Sequence, residues 1–231
     1  MINIRLSIVL AFVVMIFTGC GPAYITKGAA FPKMYEQQPK SLLIVPPMNE
    51  STDAQAKDYY MTTAEMPFAL MGYYVFPTEM VADIMKQEGV YNTEMLYDMP
   101  LDKYYEYFGA DAVLFTRIKK WDISYAVIAS NLTVSIEAKI VSTKTSEELW
   151  KYTGTVIVDL SGGTNTGGGL AGLVAQAIIT AVNTATADYV KYARVANSKI
   201  VYTIPAGPYH DLYMKDQNVR LIDQKAQGAK N

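Results

Sequence analysis

Leu132-Thr133-Val134-Ser135-Ile136-Glu137-Ala138-Lys139-Ile140 alternates apolar and polar residues without a break. Successive side chains of a strand point to opposite faces, so this period of two predicts a strand with its even-numbered residues on a core. A turn over Thr143 to Ser146 then leads to a second strand, with Trp150, Tyr152, Val156 and Val158 on one face. Upstream, Ala112-Val113-Leu114-Phe115 reads as a buried strand that continues with growing exposure through Thr116 to Trp121. Three such strands in sequence predict an antiparallel meander packed on one face.

Further toward the N-terminus the pattern changes. Ser41-Leu42-Leu43-Ile44-Val45, closed by Pro46-Pro47, is a short apolar run of the kind buried on both faces. Met48 to Asp53 follows as a polar loop. Met61, Ala64, Phe68 and Met71 then recur at helical spacing, with Pro67 expected to kink that helix or delay its start. Tyr73 to Pro77 reads as a second strand. Thr78 caps a helix that buries Val81, Ile84 and Met85 and ends at Gly89. A third helix runs from Pro100 to Phe108, with proline at its first turn and Gly109 just past its end. Downstream of the meander, Ser161 to Gly169 is a glycine loop, and Leu170 to Tyr192 is expected to be a helix of small residues. Its packing face would hold Ala171, Val174, Ala175, Ile178, Ala181 and Val182. The predicted class is α/β: a mixed sheet with a β-α-β-α start, then an antiparallel meander and a packing helix.

The first residues give an address. Arg5 precedes an apolar stretch from Leu6 to Phe17, and Phe17-Thr18-Gly19-Cys20 follows, the charged, apolar and small-residue order of a bacterial export signal. The apolar stretch is shorter than the roughly 20 residues that span a bilayer. Phe17-Thr18-Gly19-Cys20 resembles a lipobox, which makes Cys20, the one cysteine of the chain, the expected site of lipidation. Because two or three acyl chains hold stably where one is marginal, the mature chain should be tethered at a membrane. Gly21, rather than Asp, favours the outer membrane by resemblance to enteric lipoproteins. The expected organisation is a signal peptide over 1–19, a lipidated tether over 20–40, an α/β domain over 41–204 and a C-terminal tail over 205–231. Read as an extended proline-bearing segment, the tether would reach up to about 60 Å.

Composition narrows the chemistry. Removing residues 1–19 leaves 19 basic against 22 acidic residues, which offers nothing phosphate-seeking and argues against nucleic acid. A P-loop needs Lys and Ser/Thr after its glycines, but Leu170 and Ala171 follow Gly167-Gly168-Gly169. His210 is the single histidine, so neither a histidine metal site nor a Ser-His-Asp relay is indicated; no cofactor and no metal are expected. Asp53, Asp58, Glu65 and Glu79 are read as caps and surface groups, and a hydrolase would require such carboxylates to converge. Paired tyrosines at 59–60, 73–74 and 104–105 cannot all point inward, and exposed tyrosine suits protein interfaces.

Particular residues resemble a known group. Leu43-Ile44-Val45-Pro46-Pro47-Met48-Asn49 resembles the opening strand and loop of a bacterial lipoprotein family of the neisserial vaccine-candidate type, whose function is unknown. Phe108-Gly109-Ala110-Asp111-Ala112-Val113, with Ile140 to Trp150, is similar to a strand and hairpin shared by TolB amino-terminal domains and the periplasmic domain of CsgG. Ser146 stands where those hairpins usually carry glycine. The resemblance spans about residues 40 to 190. It implies a TolB amino-terminal-like α/β fold in the cell envelope that works through protein contacts, with no catalytic residues.

The expectation is therefore a non-enzymatic component of an envelope assembly or transport complex. The chain would be anchored at the outer membrane through Cys20, with its domain in the periplasm or displayed at the surface. An envelope protein partner is expected, with a homo-oligomer open. The candidate contact residues are Pro46, Pro47, Met48 and Asn49, with Gly163, Gly167 and Gly168 of the glycine loop. The alternatives are a binding module for a small envelope ligand or glycan, with a single aromatic-lined cleft, and the carboxylate hydrolase.

Overall fold

The computed structural model describes residues 24–125, 130–159, 178–180 and 189–222. The larger compact unit is Ile25–Leu221; Met1–Tyr24 and Ile222–Asn231 form the other, of which Tyr24 and Ile222 are described. The elements in order are β1 (Tyr24–Thr26), α1 (Lys27–Ala30), α2 (Pro32–Gln37), β2 (Ser41–Ile44), β3 (Met48–Asn49), α3 (Ala56–Leu70), β4 (Tyr74–Val75) and α4 (Thr78–Gln87). They continue as α5 (Thr93–Asp98), α6 (Leu101–Phe108), β5 (Ala112–Tyr125), β6 (Ser130–Ser142), β7 (Glu148–Asp159), β8 (Ile178–Thr180), α7 (Tyr189–Tyr202) and β9 (Arg220–Ile222). A seven-stranded sheet runs β4-β2-β5-β6-β7-β8 with β3 beside β5, and β1 and β9 form a two-stranded sheet. Strands β5, β6 and β7 are the predicted antiparallel meander; β2 joins β4 and β5 in parallel.

Strand β2 is buried on both faces, as its unbroken apolar run implies. Leu42 and Ile44 enter one core with Leu114, Trp121, Ile136, Ile140 and Trp150, roofed by Tyr60, Ala64 and Phe68 of α3 and by Ala193, Ile200 and Val201 of α7 and its end. Leu43 and Val45 enter a second core with Val113, Phe115 and Val141, roofed by Val81, Met85, Leu96 and Tyr104. Asn197 ties α7 to α3, its Nδ2 donating to Thr63 Oγ1 at 2.9 Å and to Tyr60 O at 3.3 Å.

Four expectations need correction. Pro67 does not delay the start of helix α3, which begins at Ala56 and runs through the proline; Pro67 lies in the last turn, between the fully buried Ala64 and Phe68. The helix expected over Leu170 to Tyr192 is a strand at Ile178–Thr180, whose β-branched side chains suit parallel pairing with Ile157 to Asp159, and the packing helix lies later, at Tyr189–Tyr202. The last four residues of the expected helix, Tyr189 to Tyr192, open that later helix, and residues 170–177 and 181–188 lie outside the described residues. The segment read as an extended tether is helical from Lys27 and packed: Met34 is buried, Phe31 lies 6.3 Å from Trp150 ring to ring, and Glu147 accepts from Lys33 Nζ and Gln37 Nε2. The segment read as a tail is also part of the fold as far as it is described, with Ala206, Asp216 and Leu221 buried. Lys27 carries both corrections. Its Nζ donates to Ile204 O at 2.7 Å and to Asp216 Oδ2 at 3.1 Å, a long-range pair that no local periodicity announces.

Candidate functional site

On the second face the helices roof β2 and β5 and reach β6 at Val141. Phe115, Lys139 and Lys151 stand opposite one another on β5, β6 and β7, and Arg117, Glu137 and Thr153 form the next row. Phe115 is buried, but Lys139 and Lys151 are exposed, so the meander's outer part carries a charged floor with no helix over it among the described residues. A groove of about 540 Å³ opens there, walled by Tyr97, Met99 and Leu101 and floored by Arg117, Glu137, Lys139 and Lys151.

Its electrostatics are uneven. Lys139 Nζ lies 5.7 Å from the centre of the Phe115 ring, and the Arg117 guanidinium lies 5.5 Å from that of Tyr97. Arg117 is also paired with Glu50 at 2.8 Å, a carboxylate that Lys119 bonds as well; those two hydrogen bonds hold Glu50 below its ordinary pKa. Lys139 and Lys151 have no ion-pair partner among the described residues, although they are direct cross-strand neighbours. Like charges in that position are destabilising by a few tenths of a kcal/mol, on the order of 0.2–1.

Tyr97 joins this groove to the expected contact segment. Val45 N–H donates to Leu114 O and Glu50 N–H to Ile118 O, so the alternate carbonyls of β5 face β2 and β3. Thr116 lies between them, opposite the stretch Pro46-Pro47, which has no N–H to offer. The Tyr97 hydroxyl fills the gap: it donates to Thr116 O and accepts from Thr116 N–H at 2.9 Å and from Met48 N–H at 3.3 Å. Burial is the main reason its phenol pKa is pushed up to about 12, against the acceptance of the Met48 and Thr116 N–H groups. Tyr97 lies on α5, a helix the periodicity reading passed over; Asn92, whose Oδ1 accepts from Met95 N–H at 2.8 Å, was the signal for it.

The predicted residues fall as follows. Pro46, Met48 and Asn49 are half-buried and Pro47 is buried. Asn49 turns inward, its Nδ2 donating to Asp53 O at 2.8 Å and its Oδ1 accepting from Ser51 Oγ at 2.6 Å. Met48 therefore reaches the groove through Tyr97, and Asn49 shapes the loop. Cys20, Gly163, Gly167 and Gly168 lie outside the described residues. Among the acids, Asp53 Oδ1 accepts from Gln55 N–H, and Glu65 Oε1 accepts from both Thr78 N–H and Thr78 Oγ1, which makes Glu65 the cap expected of Thr78 itself. His210 Nδ1 accepts from Leu212 N–H at 3.0 Å. No helix among the described residues is long and apolar enough to cross a membrane.

Residues 30–208 match the family model "Putative lipoprotein GNA1162-like". A Neisseria meningitidis serogroup B protein, "Putative lipoprotein NMB1124/NMB1162", is 31% identical over 153 residues, 66% of this chain and 70% of that one. The crystal structure of lipoprotein GNA1162 from Neisseria meningitidis superposes with a TM-score of 0.50 at 32% identity, over 59% of this chain and 92% of that one. A PelC dodecamer subunit from Paraburkholderia phytofirmans gives a TM-score of 0.44 at 12% identity, over 72% and 89%.

Proposed function

Since the chain belongs to the GNA1162-like lipoprotein family, we propose that it is a non-enzymatic, lipid-anchored component of an envelope assembly or transport complex. In this reading Cys20 is acylated, the anchor lies in the outer membrane, and the domain faces the periplasm. The groove between α5 and the meander receives an envelope protein, with an acidic side chain of the partner seated between Lys139 and Lys151. The observation that carries the reading is that pair: two exposed cross-strand lysines beside the wall of Tyr97, Met99 and Leu101. Such an arrangement costs stability in the free protein and is relieved by an anion. Tethering raises the local concentration, so a modest interface suffices.

A second reading is a binding module for a small anionic envelope ligand. It draws on the groove's size, which falls in the range of ligand sites, and on Tyr97 and Phe115 beside the lysines. Membrane fractionation and in-cell crosslinking of the native protein beside Cys20→Ala test the first reading. Membrane retention and a discrete crosslinked protein, both lost in Cys20→Ala, support it. Identical behaviour of the two proteins with no crosslinked partner contradicts it and directs attention to the small ligand.

A further inference from the structure

The chain is fixed to its domain much closer to Cys20 than the sequence suggests. Lys27 is buried, bonded through Nζ to Ile204 O and Asp216, while its N–H donates to Val219 O and that of Gly28 donates to Gln217 O. Asp216 also accepts from Tyr35 OH and from Ala206 N–H, both at 3.0 Å. The compact unit starts at Ile25. Five residue steps separate Ile25 from Cys20, a reach of about 18 Å at full extension. An acylated Cys20 therefore holds this end of the domain beside the lipid headgroups.

The segment bonded to residues 27 and 28 has a matching surface. Tyr209 is 73% exposed, Leu212 49% and Met214 37%, all in the loop that leads to Asp216. Tyr202, 62% exposed, has its ring centre 5.9 Å from Lys27 Nζ. Tyrosine with its apolar body and polar tip is suited to the membrane–water interface, and leucine and methionine to the layer just beneath. We infer that the loop Pro208 to Lys215, with Tyr202, seats in the interface of the bilayer that holds the anchor. The inference rests on acylation of Cys20, and the short span from Cys20 to Ile25 selects the membrane as the occupant.

The test uses the full-length acylated protein in vesicles of phosphatidylethanolamine and phosphatidylglycerol. With Cys20 consumed by lipid, Leu212→Cys supplies the one free thiol for a nitroxide label, and Tyr91→Cys, at a position 77% exposed beyond α4, supplies the comparison. Relaxation by oxygen several-fold stronger than by a water-soluble nickel chelate at 212, with the reverse at 91, is the expected result. A label at 212 that is as open to nickel as the one at 91, or closed to both reagents as under a covering protein, overturns the inference. Failure of the protein to float with the vesicles overturns the anchor itself, and this inference with it.

Discussion

Ser41 and Asp111 exchange hydrogen bonds in both directions. Ser41 N–H and Oγ each donate to Asp111 Oδ2 at 3.2 Å, and Asp111 N–H donates to Ser41 Oγ at 2.9 Å. The same carboxylate accepts from Lys40 N–H at 2.9 Å and from Lys144 Nζ at 2.7 Å. One side chain thus fixes the starts of β2 and β5 and the β6–β7 turn. Burial works to raise the Asp111 pKa, but Lys144 and the N–H groups of Lys40 and Ser41 outweigh it and hold the group below its ordinary 3.8. A depressed carboxylate stabilises the fold fully above its unfolded pKa, and that contribution is lost as the pH falls through the folded one. Asp111→Asn should cost about 1–3 kcal/mol near neutral pH. Urea titrations of both proteins should converge as the pH falls below about 3.8, and a difference independent of pH would contradict the assignment.

The Lys27–Asp216 pair is nearly sealed from solvent, with side-chain exposures of 6% and 1%. Burial depresses the Lys27 pKa, against the pull of its Asp216 partner. Removing one member of a buried pair leaves the other uncompensated, so Asp216→Ala should cost about 3–5 kcal/mol. Because the pair holds α1 to the C-terminal segment, limited proteolysis of the variant should cut first between residues 24 and 40. Unchanged cleavage there would show that α1 and α2 hold by apolar packing alone.

Ser146 has φ 59, a left-handed conformation, and its N–H donates to Ser142 O at 3.0 Å in the β6–β7 turn. A β-carbon opposes that conformation and glycine adopts it freely. Ser146→Gly should therefore gain about 0.5–1 kcal/mol after glycine's own entropy cost. The melting temperature would rise by about 1–4 °C.

Tyr97→Phe removes the one hydroxyl that serves Thr116 and Met48 across the proline gap. Leaving those backbone groups unpaired should cost about 1–3 kcal/mol. Hydrogen exchange should quicken at Met48 and Thr116 before it does so at Leu43. Equal protection in both proteins would mean that water replaces the hydroxyl without loss.

Elements with a strong local period are legible in the sequence alone. The alternation from Leu132 to Ile140, the doubly buried Leu42 to Val45 and the Gly109 stop, observed at φ 65, all follow from short-range rules. Lys27 was invisible because its partners stand 177 and 189 residues away. Ile178-Ile179-Thr180 reads as helical within a run of small residues, whereas pairing with β7 makes these three residues a strand. At the candidate site, the expected contact segment Pro46 to Asn49 meets the groove through the hydrogen bond from Met48 N–H to the Tyr97 hydroxyl. Lys139 and Lys151 looked like ordinary solvated residues until the register set them opposite each other.

Site-specific photocrosslinking in living cells from a probe at Thr153, beside Lys151 on β7, tests the groove most directly, in the otherwise native protein and in Lys139→Glu. A discrete envelope-protein adduct is expected in the native chain and is expected to disappear in Lys139→Glu. The purified variant should be as stable as the parent or more so, by up to about 1 kcal/mol, since the substitution relieves a like-charge pair. An adduct unchanged by Lys139→Glu, or no protein adduct from Thr153 in membrane-held native protein, would contradict the assignment of this groove as the partner site.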